Sequence, residues 1–168
     1  MQSCASSGTK TANIIIIPPI GLESSFTNNN LQTEVSIWNR KTKNDRVSDS
    51  NGGYTLPDGS IRAPDVGWVS KGRLMQVIPD ELKKFAHVCP DFVIDVRSES
   101  DNQNKLRTKM QKWLENGVQL GWLVDPQARH TTSYRPDAEP VTKPFTETIS
   151  GEDVLVGFTI NIQEVLTY

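Results

Sequence analysis

The stretch from residue 92 to residue 124 restricts the fold more than any other part of this chain. Phe92–Val96 (FVIDV) is an apolar run of strand length, interrupted only by Asp95, and Leu120–Val124 (LGWLV) is another, closed by Asp125 and Pro126. Between them Leu106, Met110, Trp113 and Leu114 recur at helical spacing, with Ser100 or Asp101 as the expected N-cap and Gly117 as the stop. A helix set between two apolar strands implies a right-handed crossover within a mixed sheet. The predicted class is α/β.

The flanking segments supply the rest of the sheet. Ser25 to about Lys41 reads as a helix, because Leu31, Val35 and Trp38 fall at i, i+4 and i+7, although the Asn28–Asn30 cluster weakens its start. Residues 42–52 (TKNDRVSDSNG) read as a polar loop. Gly53–Leu56 and Ile61–Arg62 read as short strands joined by a Pro57-Asp58-Gly59 turn, Val66–Val69 as a further strand, and Pro79–Phe85 as a helical turn or two. From Arg129 onward, short β-like runs alternate with turn residues, which predicts an antiparallel C-terminal extension. Residues 1–12 read as a loose tail, Asn13–Ile17 as a strand closed by Pro18 and Pro19, and residues 13–168 as one domain.

Composition narrows the function classes. With 168 residues, 23% charged and 36% hydrophobic, the chain suits one core. A net charge of −2 offers no overall attraction to nucleic acid, so any DNA site must rest on a local basic surface. Cys4 and Cys89 form no CxxC pair, and His87 and His130 have no Cys or His at ligand spacing, so no zinc site is signalled. The longest apolar run, Ile14–Ile17, is too short to span a bilayer, and nothing resembles a signal peptide; the cytoplasm is the expected compartment, with no membrane partner.

Asp95 is the most informative residue. A carboxylate inside an apolar strand is costly unless a donor, a cation or a metal meets it. Asp65, in IRAPDVGWV at the entry to another apolar strand, is its natural partner. Two hard oxygen donors on neighbouring strands suit Mg²⁺. For each aspartate the plain alternative, a strand-end or turn carboxylate bonded to backbone or arginine, stays open. At about 100° per residue, Lys109 lies roughly 60° from Leu106, at the margin of the helix's buried face and nearer to it than Lys105, Arg107 or Lys112. There it can either reach the sheet or snorkel to solvent. Arg97 follows Asp95 by two residues on the same side of its strand, and Glu34 has a comparable offset on the first helix.

The ordered series PDGSIRAPDVGWVS, PDFVIDVRSESD, KLRTKMQKWLENGVQLGWLVDP and SYRPD resembles the Uma-type restriction endonuclease family of the PD-(D/E)XK nuclease superfamily, over roughly residues 13 to 165. The resemblance implies a restriction-endonuclease-like αβββαβ core. It places the family's metal-binding acids on Asp65 and Asp95, its helix lysine on Lys109, and, as a weaker candidate, a helix acid on Glu34. It further implies Mg²⁺-dependent hydrolysis of DNA phosphodiesters, with DNA as partner and a homodimer left open. Three departures from the family pattern are Asp95 in place of the commoner glutamate, Glu99 in place of proline, and Arg97 at the strand position of the superfamily lysine. Arginine there can bind phosphate but cannot act as a base. The alternative reading is an inactive relic of the fold that binds DNA or serves structurally, favoured by Asp95 and by the short segment before residue 13.

Overall fold

The computed structural model describes residues 21–42 and 45–166. The expected tail at 1–12 and the strand expected at Asn13–Ile17 lie outside the described residues. The first helix, α1 (Leu22–Thr42), buries Leu31 and Val35 as the spacing requires. It begins earlier than the asparagine cluster suggests, because tertiary contacts hold that cluster: Asn28 reaches Asp65, and Asn30 donates to the Val165 carbonyl.

Strand β1 (Arg46–Ser48) falls where a polar loop was expected. Only Val47 in it is apolar, and pairing rather than composition makes it a strand: it runs antiparallel to β4 (Val66–Val69), with Val47 opposite Trp68. Between them β2 (Tyr54–Thr55) and β3 (Ile61–Arg62) form a separate hairpin. Its turn closes through Gly59, whose φ of 81° suits glycine. A short helix α2 (Lys71–Leu74) and a 3-10 turn (Pro79–Lys83) then lead to β5 (Phe92–Val96).

The crossover is formed by α3 (Gln103–Glu115) and β6 (Leu120–Asp125). Asn102 is the N-cap, its side chain accepting from the amides of Asn104 and Lys105; Asp101, one of the expected caps, instead accepts from Ser98. After it come β7 (His130–Tyr134), β8 (Val141–Pro144), β9 (Thr148–Ser150), β10 (Thr159–Asn161) and α4 (Ile162–Leu166). The main sheet has the order β1-β4-β5-β6-β7-β8, and β9 pairs with β10 separately. Only β5 and β6 run parallel, so the sheet is mixed, as expected. Counting the two long helices and the central strands in chain order gives α1, β1, β4, β5, α3, β6, an αβββαβ core. Strands β7 and β8 are its antiparallel extension.

The alternation of β5 divides the core. Phe92, Ile94 and Val96 face α1 together with Val66, Trp68 and Trp122, while Val93 faces Met110 and Trp113 of α3. Asp95, in the alternate set with Val93, therefore points at α3. Among the described residues no helix is long and apolar enough to cross a membrane.

Candidate active site

The site begins with strand register. The β4–β5 pairing ends at Val66 opposite Ile94, so one further step sets Asp65 opposite Asp95. Past that point β4 no longer supplies backbone partners, and the Asp65 side chain takes over. Its Oδ2 accepts from the Val96 amide at 2.7 Å, while its Oδ1 accepts from Asn28 Nδ2 of α1 at 2.9 Å. In a strand the N–H and C=O of one residue point the same way, so the Val96 carbonyl also faces this end of β4. Pro64, which the register would place opposite Val96, has no N–H to give that carbonyl.

Asp95 lies deeper. It is 1% exposed, and both oxygens are engaged: Oδ1 accepts from Lys109 Nζ at 2.7 Å and Oδ2 from Trp113 Nε1 at 3.1 Å. Lys109 and Trp113 stand four residues apart on one face of α3, so the helix delivers both donors to a single carboxylate. A buried ion pair of this kind persists because the second carboxylate oxygen is hydrogen-bonded as well.

The charges do not cancel. Two carboxylates face one ammonium, leaving one negative charge. Burial, followed by the Asp95 charge, pushes Asp65 up to about 6, against the bonds from Val96 and Asn28 and the attraction of Lys109. Burial pulls Lys109 down, but the Asp95 carboxylate, together with Asp65 and Asp101, outweighs it, and the net shift is upward. In the metal-free cluster this favours the ammonium form of Lys109.

Of the residues singled out in the sequence, Asp65, Asp95 and Lys109 come together. Arg97 does not join them: its guanidinium donates to Asp125 Oδ2 at 2.8 Å, and Asp125 is 2% exposed. Glu34 lies beside Asn30, Thr33, Asn161, Glu164 and Val165, on a different side of α1 from Asn28. Lys112 pairs with Glu115 on the outer face of α3, and Lys105 is exposed. Asn28 is the site residue that sequence reasoning passed over. A signal for it existed, since Asn28 falls seven residues before Val35 and hence within about 20° of the core stripe. A polar side chain on that stripe implies a buried partner.

These residues fit a hard dication. Among the described residues no group of three or more His, Cys, Asp or Glu gathers, which argues against an all-protein cage. Two carboxylates and a backbone carbonyl match the sparse protein ligation that Mg²⁺ accepts.

Comparisons with known proteins bear on the family and the fold. Residues 12–163 match the family described as "Uma2: Putative restriction endonuclease". No curated protein sequence gives a significant match. A crystal structure of "a putative nuclease belonging to DUF820" from Anabaena variabilis ATCC 29413 superposes with a TM-score of 0.74 at 18% identity, covering 92% of this chain and 86% of that one. At that identity the likeness establishes the fold alone. With the family matched over nearly all of its length and an αβββαβ core to carry it, this chain belongs to the Uma2 restriction endonuclease family.

Proposed function

We propose that the chain is a Mg²⁺-dependent endonuclease that hydrolyses DNA phosphodiester bonds at the Asp65–Asp95–Lys109 cluster. The observation that carries this reading is the convergence itself: an aspartate at each of two adjacent strand positions, with a lysine from the crossover helix at 2.7 Å from one of them.

Asp65 and Asp95, with the Val96 carbonyl, would hold the ion. Mg²⁺ bound there supplies Lewis-acid polarisation of a phosphoryl oxygen and a more acidic water. The protein's own groups set the remaining conditions. The Val96 amide and Asn28 fix the orientation of Asp65, and Trp113 fixes that of Asp95. Because Asp95 Oδ1 retains a second lone pair beside the Lys109 bond, it can meet a cation without losing the lysine. Lys109 keeps its positive charge, which suits it to stabilising the charge that develops on the phosphoryl group rather than to taking a proton. Lys105, exposed at the start of α3, is placed to meet backbone phosphates, a contact that positions DNA without reading its sequence.

The test is nicking of supercoiled plasmid by purified protein. Relaxation in the presence of Mg²⁺, none in EDTA, and none by Asp95→Ala under either condition is the expected pattern. Folded wild-type protein that leaves the plasmid intact with Mg²⁺ and with Mn²⁺ would count against the proposal and for the inactive relic of the same fold.

A further inference from the structure

Asn28 has an amide with two ends, and only one is accounted for. Its nitrogen donates to Asp65 Oδ1 at 2.9 Å. An ionised carboxylate only accepts, so the amide cannot be reversed without opposing two acceptors, and the oxygen is the end of the amide that Asp65 does not engage. That oxygen is buried with no hydrogen-bond partner among the described residues, in a residue 9% exposed. Buried acceptors are normally satisfied, and one left over beside a functional cluster needs an explanation.

The neighbourhood limits what can satisfy it. Asp65 and, one register step across, Asp95 make the surroundings anionic, so an anion is disfavoured and a donor or cation is favoured. Glu34, the acid on α1 that the sequence offers for such a role, faces Asn161 and Glu164 instead. Asn28 is thus the residue that α1 contributes to this end of the sheet.

We propose that Asn28 is the neutral third member of the cation site: Nδ2 holds Asp65 in place, and Oδ1 accepts a hydrogen bond from a water that completes the ion's shell. The inference rests on the two-carboxylate reading above and adds to it a role for the amide oxygen. An amide contributes an acceptor without a further charge, which leaves the metal-free cluster only one negative charge out of balance.

Calorimetric titration of Mn²⁺ into the intact, metal-free chain at pH 8 separates the possibilities. Asn28→Leu removes both ends of the amide and is expected to weaken Mn²⁺ binding at least about tenfold, the scale at which outer contacts of metal sites act. Asn28→Asp keeps an acceptor but loses the donor to Asp65, and is expected to bind at least as tightly as wild type. If Asn28→Asp binds as weakly as Asn28→Leu, only the donor mattered and the role of the oxygen is refuted. Binding by Asn28→Leu within twofold of wild type refutes it too. Should Asn28→Leu fail to show a folded circular dichroism spectrum, Asn28→Ser replaces it with the same expected loss. Asp65→Ala tests the underlying reading separately. If it binds Mn²⁺ like wild type, or wild type binds none, the two-carboxylate site falls and this inference falls with it.

Discussion

Asp95 depends on two donors from one helix, and each can be removed alone. Lys109→Ala leaves a carboxylate of 1% exposure with only the Trp113 indole, and is expected to cost about 3 kcal/mol in urea unfolding as well as abolishing cleavage. Trp113→Phe keeps most of the packing and removes one hydrogen bond, for an expected loss of about 1–2 kcal/mol. Equal stability of wild type and Lys109→Ala would show that the ammonium does not compensate Asp95. Asp65 behaves in the opposite sense. Its folded value of about 6 lies above the ordinary 3.8. Between these values the native state holds a proton that the unfolded chain has released, so metal-free stability falls as pH rises from about 4 to about 6. Asp65→Asn is expected to flatten that dependence and raise the melting temperature at pH 8, and a mutant that keeps the wild-type slope would contradict the assignment. Asp95 and Asp65 were legible in the sequence because a charged residue inside an apolar strand, or at its entry, is conspicuous. Asn28 was not, because its neighbours Asn29 and Asn30 made it look like part of a polar helix start.

The elements with strong periodicity were the ones that could be read in advance. β5 occupies Phe92–Val96 as expected, and α3 and β6 differ from expectation only at their ends. β1 could not be read, because a three-residue edge strand with one apolar side chain is specified by its partner β4 rather than by its own composition. The period of two did place Arg97 on the Asp95 side of β5, but periodicity says nothing about the end of β6, where Asp125 waits to pair with it. This pair links the ends of two parallel strands, and none of its hydrogen bonds among the described residues involves Asp65, Asp95 or Lys109. Arg97→Ala should therefore destabilise the fold by about 3 kcal/mol, since Asp125 is left buried and unpaired, while Mg²⁺ affinity stays within about twofold of wild type. A tenfold loss of affinity in that variant would bring Arg97 back into the site.

At the scale of the whole molecule, the Asp65–Asp95 pair lies between helices packed on the two faces of the sheet, in a chain whose net charge of −2 gives DNA no general attraction. In the proposed function, placement of the ion rather than global electrostatics would carry the chemistry. A ligand that binds only the folded state stabilises it by about 2.7 kcal/mol at a hundredfold excess over Kd, so saturating Mg²⁺ should raise the melting temperature of wild type but not of Asp65→Asn. The most direct measurement is anomalous diffraction from a crystal soaked in Mn²⁺. A single strong peak is expected in contact with carboxylate oxygens of both Asp65 and Asp95, with Asn28 facing it. A well-occupied peak elsewhere, or none at this cluster in a crystal whose Asp65 and Asp95 are ordered and accessible to the soak, would contradict it.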